Sequence, residues 1–271
     1  MAQHFLSAKT SVCGLSGHCC QDLKVQHFVV TWTRTRRYKL SKTALVTGAS
    51  SGIGRGTATK LASEGWHVLA HGRREDALQE TLELIKGVGG TGEYFTAEMG
   101  DMAALADLAE WATARERLDA FVHCAAKFTY GEVSTERFED WDASIDQVLR
   151  ATIRLSAHVL PALKKTEGAI VYICGPTSWL GWKRHSIHCA LRHAQVGFAK
   201  ALFEEVREDG VRVTLVHPGF VNTPSVNDGG KNRELMIQLD DISQMIATAI
   251  SLPKTTCVTE FTLRPQRSPY Q

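Results

Sequence analysis

The chain has 271 residues, 44% of them hydrophobic and 22% charged, with a formal net charge of +2. That length suits one globular domain with a sizeable core. The near balance of charge argues against nucleic acid or an anionic membrane as partner, and no apolar run reaches the ~18 residues of a membrane span.

The first 40 residues differ from the rest. Lys9, Lys24, Arg34, Arg36, Arg37 and Lys39 are opposed only by Asp22. This basic N-terminal extension (1–41) reads either as an Arg-rich organelle-targeting segment or as a loosely packed addition. The seven cysteines stand singly apart from Cys19-Cys20, with no CxxC pair. They point to reduced thiols in a cytoplasmic protein, targeting through residues 1–40 being the alternative.

From residue 43 onward apolar and helical stretches alternate. TALVTGA (43–49) is a short apolar run, followed by the helical RGTATKLASEG (55–65). WHVLAHG (66–72), REDALQETLELIKGV (74–88), GEYFTAE (92–98), DMAALADLAEWATA (101–114) and LDAFVHCA (118–125) continue the series. A long helix within 138–164, AIVYICG (169–175), the helix 186–206 and VRVTLVHPG (211–219) follow. A sixth helix and the strand candidate CVTEFTLRP (257–265) finish the domain. Most strands are apolar runs, which predicts a single doubly wound parallel-sheet α/β domain of Rossmann type over residues 42–271.

TGASSGIG (47–54) follows the first strand and opens a helix. Gly48 allows a tight turn, Gly52 close approach to a pyrophosphate, and Gly54 close helix–strand packing. The helix N-terminus then offers free N–H groups to phosphate. The second strand ends in His71-Gly72-Arg73-Arg74. No acid sits at 71–73, so Arg73 predicts a 2′-phosphate contact, and NADP rather than NAD.

These residues carry a resemblance to the short-chain dehydrogenase/reductase family over about residues 42–265. The family's TGxxxGxG matches Thr47, Gly48, Ala49, Ser50, Ser51, Gly52, Ile53 and Gly54. Its adenine-contacting acid aligns with Glu98, and its PGxVxT with Pro218 to Thr223, whose Val221 and Thr223 are expected beside the nicotinamide. Where the family has Asn-Asn-Ala-Gly, this chain has His123-Cys124-Ala125-Ala126. Cys124 is counted with the cofactor contacts.

The family's catalytic set is Asn, Ser, Tyr and Lys. The resemblance implies that Tyr protonates a carbonyl oxygen as hydride arrives, Lys lowers the Tyr pKa and holds the nicotinamide ribose, Ser polarises the carbonyl, and Asn holds a water. WDASIDQVL (141–149) places Val148 at the Asn position, and counting back from the Tyr position places Gly175 at the Ser. His188 and Arg192 stand for Tyr and Lys, and no Tyr-x-x-x-Lys occurs in the helix 186–206. The imidazole reaches less far than a phenol, and Arg192 disfavours its protonated form. Arg192 remains a contact for ribose or phosphate. An NADP(H)-binding protein with lost or altered hydride transfer is the leading expectation. The alternative is an active NADP-dependent oxidoreductase or a non-redox enzyme with non-standard residues.

Cys124, Cys174 and Cys189 fall near the expected cleft, either as small packing groups or, with Arg192 favouring a thiolate, as a nucleophile. A zinc site drawn from His123, Cys124, Cys174, His188 and Cys189 lacks ligand spacing, so no metal is expected. Trp179, Trp182 and His185 suit an apolar or ring-bearing ligand. The segment after Thr223, with Gly229-Gly230, resembles a short lid. The resemblance also implies a homodimer or homotetramer. The stripe Ile187, Leu191, Ala194, Phe198 and Leu202 permits either core or interface burial.

Overall fold

The computed structural model of the chain describes residues 41–127, 129–224, 226 and 229–270. The basic extension, but for its last residue, and part of the lid segment lie outside the described residues. Seven strands form one sheet: β1 (Thr43–Thr47), β2 (His67–Gly72), β3 (Thr91–Thr96), β4 (Ala120–His123), β5 (Ala169–Ile173), β6 (Arg212–Pro218) and β7 (Glu260–Leu263). Their order is β3-β2-β1-β4-β5-β6-β7, and every neighbouring pair is parallel. The predicted doubly wound fold is therefore the one observed.

Seven helices flank the sheet among the described residues: α1 (Gly52–Ser63), α2 (Glu75–Gly87), α3 (Met102–Thr113), α4 (Phe138–Ser144), α5 (Ala151–Thr166), α6 (Ser186–Val206) and α7 (Leu239–Ser251). Alternate strand residues feed two cores. Val46, Val122 and Val171 pack with Leu61, Leu78 and Ile246 from α1, α2 and α7. Leu45, Phe121 and Ile170 pack with Leu108, Leu155 and Leu202 from α3, α5 and α6. Each such side chain, fully buried, contributes about 1.5–3 kcal/mol. Strand order reverses between β1 and β4, so a crevice opens at their carboxyl ends, where Thr47 and His123 lie side by side.

Two expectations are refined. The long helix expected within 138–164 is present as one run, in which α4 passes into a π-helical turn, Ile145–Arg150, before α5 begins. Thr152 Oγ1 donates to the Val148 carbonyl at 2.5 Å and Ser156 Oγ to the Thr152 carbonyl at 2.6 Å. Such side-chain bonds compete with the helical ladder. In α6 the buried stripe is partly rotated from the apolar one read in sequence, sharing Leu191 and Leu202 with it. It runs through Cys189, Leu191, Arg192, Gln195, Ala199, Leu202 and Val206. Ile187, Ala194 and Phe198 are only half-buried. Polar residues take core positions because partners wait for them there. No helix among the described residues is long and apolar enough to cross a membrane.

A candidate dinucleotide cleft and its altered end

The β1–α1 turn is built by glycine. Gly48 sits at φ +69°, and a Cβ there would lie 2.9 Å from the Ala125 amide nitrogen. A Cβ on Gly54 would lie 2.2 Å from the Gly48 carbonyl oxygen. The turn is thus folded on itself and pressed against the end of β4. Ser51, just before α1, makes no side-chain cap bond, and the first turn of α1 carries no acid. In α3, by contrast, Asp101 caps the Ala103 and Ala104 amides. The α1 N-terminus therefore presents its amides and positive dipole end to the cleft, an arrangement that fits a phosphate.

The cleft has a volume of about 340 Å³. One wall is the turn itself: Gly48, Ser50, Ser51, Gly52, Ile53 and Gly54. Arg73 and Glu98 line one end, paired with each other at 3.4 Å and both about half exposed. An exposed pair of this kind is worth at most ~1 kcal/mol and yields readily to a ligand. Cys124, Arg192 and Thr223 line the far end. Eleven of the expected cofactor contacts thus share one cleft. Two do not. Thr47 is fully buried, its oxygen 2.9 Å from His123 Nδ1 and accepting the Ala125 amide at 3.3 Å. Val221 belongs to the core, bridging to Ile237.

Of the four expected catalytic positions, only Arg192 reaches the cleft. It is buried, and its Nη1 donates to the Ile173 carbonyl at 2.6 Å and to Gln195 Oε1 at 2.7 Å. His188 Nε2 lies 3.3 Å from Thr177 Oγ1. Burial first, then the charges of Arg192 and His185, push its pKa down to about 3, so it is neutral at pH 7. Gly175 has φ +106°, a conformation that any side chain would strain. Val148 is buried in the π turn, while its neighbour Gln147 lines the cleft. Sequence reading passed over Gln147 because it matches the aligned residue neither in type nor in position.

The thiolate alternative is corrected. Burial pushes Cys124 up to about 12 and Cys174 to about 11, outweighing the lowering by Arg192. Both remain thiols at neutral pH, as packing groups do. Among the described residues no group of three or more His, Cys, Asp or Glu is placed to hold a metal ion.

A buried polar chain occupies the altered end. Thr47 Oγ1 bonds His123 Nδ1 at 2.9 Å, and His123 Nε2 bonds Thr152 Oγ1 at 3.0 Å. Gln195 Nε2 donates to the same oxygen at 3.2 Å, while Gln195 Oε1 accepts from Arg192. Because Thr152 gives its proton to Val148, its oxygen accepts from His123, which fixes a neutral Nε2–H tautomer. Burial likewise pushes the His123 pKa down to about 3. The chain links β1, β4, α5, α6 and β5. Of its members, Thr47 belongs to the glycine-rich motif and His123 and Arg192 stand out in the sequence; Thr152 and Gln195 lie in no motif.

The three loop rings do not form one wall. Trp179 packs on His217, with centroids 4.9 Å apart. Trp182 packs on His185 at 5.6 Å, and Tyr130, unforeseen in the sequence, lies 4.9 Å from His185 and 5.3 Å from His188.

A family model described as short chain dehydrogenase matches residues 42–234. An uncharacterized oxidoreductase of Staphylococcus epidermidis is 28% identical over 228 residues, 83% of this chain and 97% of that protein. A metagenomic short-chain oxidoreductase, solved in complex with NADP, is 28% identical with a TM-score of 0.74, covering 83% of this chain and 98% of the other. The actinorhodin polyketide ketoreductase, solved with NADPH, is 26% identical with a TM-score of 0.76 over 83% of this chain and 96% of that one.

Proposed function

This chain belongs to the short chain dehydrogenase family, and on that premise we propose that it binds NADP(H) while ordinary carbonyl–alcohol hydride transfer is lost or strongly altered. The observation that carries this reading is a contrast within one cleft. Its phosphate end keeps the uncapped α1 N-terminus, whereas its far end has neither a phenol on α6 nor a hydroxyl at residue 175.

The backbone from Ser50 to Gly54 holds the pyrophosphate in this reading. Arg73 leaves Glu98 to meet the 2′-phosphate, and Glu98 turns to the adenine. Cys124, Arg192 and Thr223 face the nicotinamide end. The NADP and NADPH complexes of the two solved relatives support the choice of cofactor. When bound, the dinucleotide supplies hydride. The family's proton donor, ribose lysine, serine and asparagine are replaced by His188, Arg192, Gly175 and Val148. Losing one transition-state donor costs about 10²–10³ in rate.

Fluorescence titration with NADPH, followed by a carbonyl panel, tests the proposal. The expected outcome is saturable binding with slow or no turnover of simple ketones and aldehydes. Ordinary rates across the panel would sink the altered-chemistry reading. Absence of binding would reduce TGASSGIG to a packing turn.

A second reading is favoured by Arg192 lining the cleft with Tyr130, Trp182 and His185 grouped near it. It is a working enzyme with non-standard residues acting on an apolar, ring-bearing ligand. A homodimer or homotetramer is also proposed, to be measured by light scattering.

A further inference from the structure

An anion site made of backbone carries its own opposition. Each residue brings an amide that attracts phosphate and a carbonyl oxygen that repels it. In the β1–α1 turn the carbonyls are engaged elsewhere. Ala49 O lies 2.8 Å from Thr81 Oγ1, on α2. Ser50 O accepts from Arg55 Nη2 at 2.8 Å, and Ser51 O accepts from the Arg55 amide at 3.2 Å. Successive carbonyls thus find donors within the protein, and Arg55 supplies those for Ser50 and Ser51.

The two side-chain donors are themselves fixed. Arg55 Nη2 also donates to the Ala77 carbonyl and to Glu80 Oε2, each at 2.9 Å, and Arg55 Nε donates to Thr81 Oγ1 at 3.0 Å. Because Thr81 Oγ1 accepts from Arg55, its own proton is shared by the carbonyls of Ala49 and Ala77, 2.8 and 2.9 Å away. The planar donor fork of an arginine suits such bridging, which a lysine does not reproduce. Thr81 is fully buried, and the Arg55 side chain is 25% exposed. Neither is among the residues that line the cleft. They hold the turn from behind and join it to α2, while the Ala49 amide is tied to the His71 carbonyl at 2.8 Å.

We infer that Arg55 and Thr81 are positioning residues for the cofactor's pyrophosphate, keeping the carbonyls of Ala49 and Ser50 turned to α2 so that the turn meets phosphate with N–H groups. The inference deepens the NADP(H) reading above and rests on it. Neither side chain touches the cofactor. Each acts through a peptide plane: a carbonyl that swings toward the cleft carries the adjoining amide away from it, because the two are rigidly coplanar. The site then loses a donor and gains an acceptor. Arg55 and Arg73 have separate duties in this scheme, the first serving the pyrophosphate through the backbone and the second the 2′-phosphate directly.

The test uses the full chain and three variants. Thr81→Val keeps the side-chain shape and loses the hydroxyl, Arg55→Lys keeps a cation and loses the fork, and Thr81→Ser keeps the hydroxyl. NADPH affinity, read by fluorescence titration, is expected to fall about tenfold in Thr81→Val and in Arg55→Lys and to stay within about twofold in Thr81→Ser. Phosphorus NMR of NADP⁺ bound at saturation then separates positioning from general loosening of the fold. The pyrophosphate signals are expected to differ between the natural protein and Thr81→Val, while the 2′-phosphate signal coincides. Unchanged NADPH affinity in Thr81→Val and Arg55→Lys would overturn the inference and leave the cofactor reading intact. So would a displacement of the 2′-phosphate signal as large as that of the pyrophosphate. Failure of the natural protein to bind NADPH would overturn both.

Discussion

The two ends of the cleft were built under different constraints. At the phosphate end, backbone does the work: Gly48 and Gly54 touch other main-chain atoms, and α1 opens uncapped toward the crevice. Side chains there are few and exposed. At the altered end the side chains are buried and bonded to one another, from Thr47 through His123, Thr152 and Gln195 to Arg192. A backbone site persists as long as the turn keeps its shape. A side-chain site can be rewritten one residue at a time, provided each buried polar atom finds a partner. At the second end polar groups are joined to one another across five elements.

The comparison breaks most readily at the turn. Gly54→Ala places a methyl 2.2 Å from the Gly48 oxygen. It is expected to cost about 2–3 kcal/mol in urea unfolding and to weaken NADPH binding about a hundredfold. Gln195→Leu is the counterpart at the other end. It leaves the buried Arg192 without one acceptor and Thr152 without one donor, an expected cost of about 2–3 kcal/mol. NADPH affinity should change little, by about threefold at most. A large loss of affinity would show that the network shapes the cofactor site as well.

Acid sharpens the contrast further. Burial lowers His71 from 6.5 to about 4 and His123 from 6.5 to about 3. Both bind fewer protons folded than unfolded, so their contribution is complete above about pH 6.5. It is lost as pH falls toward 4 for His71 and 3 for His123. Each histidine gives a slope of up to about 1.4 kcal/mol per pH unit within its window. The urea midpoint should therefore drop between pH 6.5 and 4.5, and His123→Asn should flatten that drop. A midpoint independent of pH across this range would contradict the buried neutral assignment.

Smaller effects are expected where the groups are exposed. Arg73→Ala should weaken NADPH about ten- to hundredfold while leaving NADH unchanged, read by parallel fluorescence titrations. If both cofactors weaken equally, Arg73 does not read the 2′-phosphate. Glu98→Gln removes only a half-exposed ion pair and should alter the unfolding free energy by about 0.5 kcal/mol or less.

Much of the fold was legible in the amino-acid order. The expected runs became strands within three residues of their expected bounds, and α6 spans 186–206 as the spacing implied. The glycine turn was legible because its chemistry is local: a strand, a tight turn and a helix start are contiguous in the chain. The long helix was legible but its π turn was not, because apolar periodicity does not register the Thr152 hydroxyl bonding back to the Val148 carbonyl. The rotation of α6 was missed because Arg192 and Gln195 are polar, and a periodicity argument assigns polar residues to solvent. Their burial requires acceptors on β5 and α5 that the local sequence does not reveal.

The sequence by itself determined the doubly wound sheet, the place of the phosphate turn and the absence of Tyr-x-x-x-Lys from the helix 186–206, since all three are written in short-range patterns. Only the tertiary structure decided which polar residues face the cleft and which are spent on one another. His123 turned inward as a neutral bridge, Val221 joined the core, and Gln147 came to the cleft from a position without a motif. The reason is physical: a buried polar atom must be satisfied, and its partners lie on strands and helices that meet only once the chain has folded.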